Sequence, residues 1–235
     1  PTGTDATLGP VLDPTATPVG GGEYLATTLA ALRGTARHSL TATAGDLIGG
    51  TPFLSGLFHD EPAVESLEAM GLDVSGVGDH EFDEGLTELR RMQHGGCHPV
   101  DGCYNPERPY DGADFPWLAA NVVDDATGRT VLPATWVKRI GGVKVGFIGM
   151  TLEGTPALVA QSGIRGLRFQ DEVEAANRAV RKLKRRGVET IVVLIHEGGL
   201  QTGTYGQCTG ISGPIVQIAE QLHPEIDLIA SGHTH

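Results

Sequence analysis

Six short apolar runs punctuate the chain, and several follow a stretch with helical periodicity. They are "SLTATA" (39–44), "DVSGV" (73–77), "FPWLAANVV" (115–123), "VKVGFIGM" (143–150), "VETIVVLI" (188–195) and "IDLIA" (226–230). Helical patterns occupy about 22–33, 61–70, 171–186 and 213–222. In 171–186, Val173, Ala176, Val180 and Leu183 fall on one face. Continuous Val/Ile/Leu runs alternating with helices predict strands buried on both faces, the pattern of an α/β protein. The 235 residues suffice for one large domain or two small ones. No shift in composition marks a second, and no internal repeat or low-complexity segment interrupts the pattern.

The polar chemistry lies just after the apolar runs. Gly45-Asp46 follows the first, and "GDHEFD", with Asp79, His80, Glu81 and Asp83, follows the second. "HEGG" with His196 follows the fifth, and "SGHTH" with His233 and His235 follows the sixth. In open α/β sheets the binding crevice lies at the carboxyl ends of the strands, so four such ends can converge on one point. One histidine after a strand is usually a structural residue; four strand ends that each deliver Asp or His predict a metal site. The histidines at 233 and 235 continue directly from a strand pattern, unlike a purification scar. On extended backbone, positions i and i+2 face the same side. Asp46, Asp79, His196, His233 and His235 are thus five candidate ligands. Imidazole and carboxylate without thiolate suit Zn, Mn, Fe, Co or Ni better than Ca. Five ligands exceed the needs of one open zinc site, and two ions sharing a carboxylate are a common phosphoesterase device. Without a cation, close carboxylates at Asp46 and Asp79 would raise one of their pKa values. His80 and Asp83, three residues apart, can hydrogen-bond. A carboxylate behind an imidazole fixes its tautomer and raises its pKa, which suits protonating a leaving oxygen or steadying a phosphoryl oxygen.

Charge and cysteines set further bounds. The net charge of −12 argues against a nucleic-acid surface. The one basic run, "RKLKRR" (181–186), closes a helix opened by Asp171, Glu172 and Glu174, an arrangement that suits the helix dipole. No apolar stretch approaches the ~20 residues of a membrane span. Cys97 and Cys103 sit in "GGCHPVDGCYNPERP". A metal reading would recruit His94 or His98. The spacing fits no zinc pattern, so a small disulfide-closed loop is expected, and with it an oxidising compartment. Cys208 is then free or paired outside these residues.

These residues resemble the metallophosphoesterase (calcineurin-like) superfamily, and within it the secreted bacterial 5′-nucleotidases. The family pattern runs D-x-H, G-D, G-N-H-E, a lone H, then G-H-x-H. Gly45-Asp46, "GDHE" (78–81), His196 and "GHTH" (232–235) match its last four blocks in order. "GDLIGGTPFLSGLF" and "GDHEFDEG" are similar to the 5′-nucleotidase branch in particular. The resemblance implies a four-layer α-β-β-α sandwich and a metal-dependent phosphohydrolase that releases phosphate from nucleotides by metal-activated water attack. It implies two divalent ions bridged by Asp46, with His80 and Asp83 as the catalytic pair, and a secreted, periplasmic or cell-wall-associated location. Three departures stand out. No D-x-H precedes Asp46 in these residues, the usual Asn is Asp79, and the family's nucleotide-binding C-terminal domain would be expected after His235. The expectation is therefore one metallophosphoesterase domain, residues 1–235, lacking its first strand, holding no ion or one, and weakly active or inactive by itself. Competing readings are cyclic-nucleotide, UDP-sugar or dinucleotide hydrolysis on the same fold, or a silent fold-only module. An amidohydrolase is disfavoured because its H-x-H would come first, not last.

Overall fold

The computed structural model describes residues 21–203, 207 and 209–234. Elements follow in the order α1 (Gly22–Gly34), β1 (Ala42–Thr43), α2 (Phe53–Gly56), α3 (Glu61–Ala69), β2 (Val74–Gly76), α4 (Gly85–His94), β3 (Trp117–Leu118) and β4 (Val122–Asp124). They continue with β5 (Thr135–Ile140), β6 (Val143–Thr151), β7 (Leu167–Phe169), α5 (Glu172–Arg185), β8 (Thr190–His196), α6 (Pro214–Gln221) and β9 (Leu228–Ser231).

Two sheets face each other. One is parallel, in the order β1-β2-β3; the other runs β5-β6-β8-β9, parallel except for the β5–β6 hairpin. Val74 and Leu118 from the first meet Phe147, Val192 and Leu194 from the second. Gly149 on β6 lies so close to Leu118 that any side chain there would collide with it. On the outer face of the first sheet, α3 and α4 bury Val64, Leu89 and Met92. On the outer face of the second, α5 and α6 bury Ala176, Val180, Leu183 and Ile218. The result is the expected α-β-β-α sandwich. It also explains the unbroken apolar run of β8: Val192 and Leu194 face the other sheet, while Ile191, Val193 and Ile195 face the helices.

Helix α5 takes the predicted face and ends. Asp171 caps it by accepting from Glu174 N–H at 2.7 Å, acids fill its first turn, and Lys182, Lys184 and Arg185 fill its last. Three features differ from expectation. The run 115–123 is two strands, because buried Asn121 turns the chain. Its side chain donates to the Thr151 and Gln170 carbonyls at 2.6 and 3.1 Å, sending β4 to pair with β7. Residues 135–140, ahead of the run 143–150, form β5, a strand closed on β6 by Gly141-Gly142 with φ of 54° and 91°. Helix α4 was not anticipated; its polar face hides the buried Leu89 and Met92.

Candidate metal centre

Each described candidate ligand stands at or just past the carboxyl end of a strand. Asp46 follows β1 in the left-handed region, at φ 58°. Gly45 and Gly78 let the turns after β1 and β2 touch, since a side chain on Gly45 would strike the Gly78 backbone. Glu81, fully buried, clamps the two turns. Its Oε1 accepts from Leu47 N–H at 2.7 Å, and its Oε2 accepts from Asp46 N–H at 2.9 Å and from Gly78 N–H. Burial and the Asp46 carboxylate push the Glu81 pKa up to about 7, against the pull of those three amides.

His196 ends β8 and is 2% exposed. Its Nδ1–H donates to the Ala44 carbonyl at 2.8 Å, which leaves the Nε2 lone pair facing the cluster. Nε2 lies 2.8 Å from Asp46 Oδ2 and 3.3 Å from Asp79 Oδ1, and His233 Nδ1 lies 3.2 Å from the same Asp79 oxygen. Two donors each about 2.1 Å from one ion, at about 85–110° to each other, stand about 2.8–3.4 Å apart, so these spacings fit a shared transition metal. Among the described residues, His196 Nε2 and Asp79 Oδ1 are buried and take part in no hydrogen bond. The atoms that converge here are the electron-rich ones that a shared cation, or a proton on His196, would hold together. Burial works against a charge on His196, yet the Asp46 and Asp79 carboxylates push its pKa up to about 10. Two carboxylates and two neutral imidazoles sum to −2, and a divalent ion balances that set.

The structure thus brings together Asp46, Asp79, His196 and His233. His235 and Cys208 lie outside the described residues. Two expectations are corrected. The expectation that one of the two carboxylates is raised fails at Asp79: burial acts that way, but the close contact with His196, a backbone hydrogen bond and the charges of His196 and His233 outweigh it and lower its pKa. His233 does not lie on extended backbone. β9 ends at Ser231, His233 has φ 77°, and Thr234 N–H donates back to the Gly232 carbonyl at 3.0 Å. The i/i+2 strand argument therefore does not apply to this histidine, which a tight turn aims instead. Thr234 fixes that turn by donating its hydroxyl to the Gly199 carbonyl at 2.7 Å and accepting from Gly199 N–H at 3.1 Å.

His80 is no ligand in this cluster. Its Nδ1 lies 2.7 Å from Asp83 Oδ2, and its backbone N–H donates to Asp46 Oδ1 at 3.1 Å. Its Nε2 turns toward Gly50, beside a cavity of about 250 Å³ that Gly49, Thr51 and His59 also line. Burial disfavours charge on His80, but the Asp83 hydrogen bond and the Asp46, Asp83 and Asp79 carboxylates prevail and raise its pKa. Cys97 and Cys103 are bonded to each other as expected. Sequence reasoning assigned no role to Thr234, and named Glu81 without one.

Two facing sheets whose strand ends gather Asp and His ligands, with a His–Asp pair alongside, define a metallophosphoesterase-type domain. The chain matches no family model. It is 39% identical over 213 residues to Endonuclease YhcR of Bacillus subtilis, a match that covers 91% of this chain and 17% of that protein. It is 36% identical to Cell wall protein Lmo0130 of Listeria monocytogenes, covering 95% of this chain and 31% of that one. Among solved structures, a 5′-nucleotidase precursor from Thermus thermophilus superposes with a TM-score of 0.71 at 25% identity, over 97% of this chain and 39% of the other. The calcineurin-like phosphoesterase YfkN from Bacillus subtilis gives 0.68 at 26% identity, over 89% and 62%. The chain belongs to the calcineurin-like metallophosphoesterases, on the branch that includes 5′-nucleotidases. It spans less than a third of the length of the two curated relatives.

Proposed function

We propose that this domain belongs to a metal-dependent phosphohydrolase that releases phosphate from nucleotides. The observation that carries the reading is the pairing of two unlike groups. Asp46, Asp79, His196 and His233 form a cluster that sums to −2 when both imidazoles are neutral ligands, and beside it stands His80, whose pKa is raised by its Asp83 hydrogen bond and the nearby carboxylates against the effect of burial. Bound in the cluster, a divalent transition metal supplies Lewis acidity, lowering the pKa of a water and neutralising phosphoryl oxygens. The protein supplies the rest. Asp83 accepts from His80 Nδ1–H and so orients the ring; when the ring is protonated, Nε2–H is presented to the cavity. From there it steadies a phosphoryl oxygen or gives its proton to the leaving alkoxide. The Glu81 clamp keeps Asp46 and the Gly78 turn in register, and the Asp46 carboxylate in turn accepts from His80 N–H. Ligand and acid are thereby set within one hydrogen-bonded unit.

The nucleotide substrate class rests on the likeness to the 5′-nucleotidase branch, and an extracytoplasmic location on the Cys97–Cys103 bond together with the cell wall relative. A second ion is the family expectation. The four described candidate ligands make one site, so this centre is expected to hold no more than one ion in these 235 residues alone. The test is hydrolysis by the full-length protein of 5′-mononucleotides, p-nitrophenyl phosphate and a single-stranded oligonucleotide, with Mn²⁺ or Zn²⁺ and then with chelator. Phosphate release from mononucleotides that stops on chelation supports the reading. Release that survives chelation, or turnover of the oligonucleotide alone, overturns it.

A further inference from the structure

A second group of imidazoles and carboxylates stands apart from the centre and shares no residue with it. His59, in the turn between α2 and α3, stacks on His98 with ring centroids 3.8 Å apart and planes 14° from parallel. His98 and Asp101 belong to the loop that Cys97–Cys103 closes, braced by paired hydrogen bonds between His98 and Gly102 at 3.1 and 3.0 Å. A carboxylate stands at each edge of the stack. Glu84 lies 3.1 Å from His59 Nδ1 and 3.8 Å from His98 Nε2. Asp101 Oδ2 lies 3.0 Å from His59 Nε2 and 3.2 Å from His98 Nδ1.

With both rings neutral, proton counting leaves donors here without a positive charge between them. A neutral imidazole carries one N–H. His59 stands between two carboxylates, Glu84 at Nδ1 and Asp101 at Nε2, and when neutral can donate to only one; in the tautomer that donates to Glu84, Nε2 turns a lone pair toward Asp101. His98 Nδ1 accepts from Asp101 N–H at 3.1 Å, so it too faces the Asp101 carboxylate without a proton between. Two nitrogen lone pairs and a carboxylate oxygen thus meet with nothing to hold them together. The donor spacings of 3.0 and 3.2 Å again match donors about 2.1 Å from one ion. Glu84 behind both rings is the outer carboxylate that orients ligating histidines.

We propose that His59, His98 and Asp101 form a second binding site for a divalent transition metal of the zinc class. Coordination splays the two rings and displaces the Asp101 amide from His98 Nδ1. The ion ties the disulfide loop to the turn that carries His59. Next to it, Asp60 accepts from Gly49 N–H at 2.9 Å, and Gly49 lines the cavity beside His80. The site therefore braces one wall of that cavity.

Zinc alone is the probe, titrated calorimetrically into the full-length protein carrying His196→Ala, which disables the centre described above. The expected result is one zinc site retained in that background. His98→Ala added to it should weaken that site about tenfold or more, the least that loss of even an outer-shell partner costs a metal site. Asp101→Asn, at an exposed position, should do the same and serves if His98→Ala fails to fold. The zinc should also raise the melting temperature of the His196→Ala protein and not that of the double variants. Zinc binding absent from the His196→Ala protein, or unchanged by both further substitutions, overturns the site and means the stack holds an extra proton instead. Failure of the phosphohydrolase reading would leave this titration unaffected.

Discussion

Replacing His80 by Ala separates the role of acid from that of ligand. The imidazole touches Asp83 and faces the cavity, while the contact to the metal cluster runs through the backbone N–H, 3.1 Å from Asp46 Oδ1. Alanine keeps that N–H. Metal content should therefore be unchanged, and stability should fall by no more than about 1 kcal/mol, the scale of a half-exposed ion pair. The rate should fall much further, since the variant loses a positioned cation and proton donor: about 10²–10⁴-fold in kcat, or roughly 2.7–5.4 kcal/mol of transition-state stabilisation. Asp83→Asn should cost less, about 10–100-fold, because the imidazole stays but loses its orienting carboxylate. The double variant should be no slower than His80→Ala alone, as Asp83 acts only through the ring. The acting form is the cation, and its pKa is raised. Activity is then present at low pH and lost as pH rises through that raised value, and Asp83→Asn should move this basic limb to lower pH. The same sign governs stability: the contribution of the pair is complete below the unfolded pKa of about 6.5 and fades as pH rises through the folded one. The assay is a pH–rate profile with p-nitrophenyl phosphate on the full-length protein, alongside elemental analysis of each variant. If His80→Ala strips the metal, or if Asp83→Asn leaves the basic limb in place, the division of roles is refuted.

Three further outcomes are expected. The Cys97–Cys103 bond joins residues six apart, so its removal by paired Cys→Ser substitution should cost about 2.3 kcal/mol in the chain-entropy account, or roughly 5–9 °C in melting temperature by calorimetry; both cysteines mapped as free thiols in unreduced protein would sink the compartment argument. Arg91 is buried between Glu61 at 2.6 Å and Glu88 at 2.6 Å, so Arg91→Ala should cost about 3–5 kcal/mol by urea unfolding. That loss should shrink on acidification as the stranded carboxylates take up protons, and a loss below about 1 kcal/mol would contradict the buried triad. Elemental analysis of these 235 residues after exposure to Zn²⁺ should find no more than one ion in the Asp46 cluster; two that both vanish with Asp79→Ala would mean unidentified ligands complete the second.

The strands that carry the site and most of the candidate ligand set were legible in the sequence, and for one physical reason. A strand buried on both faces must be apolar along its length, so β6 and β8 announce themselves, and a polar residue just beyond such a strand stands out. Asp46, Asp79 and His196 are found this way. What escaped depends on partners far away in the chain. Asn121 splits one apolar run into two strands because the Thr151 and Gln170 carbonyls are waiting for its amide. Glu81 resembles any acid in a turn until the amides of Asp46, Leu47 and Gly78 are seen around it. Thr234 aims His233 through Gly199, a residue on another strand's loop. The same distinction holds for His59 and His98. Neither follows a strand, and no spacing links them, because a disulfide and a turn bring them together rather than a sheet. Ligands placed by regular structure can be read from local pattern, whereas residues that position ligands act through backbone groups and carry no pattern of their own.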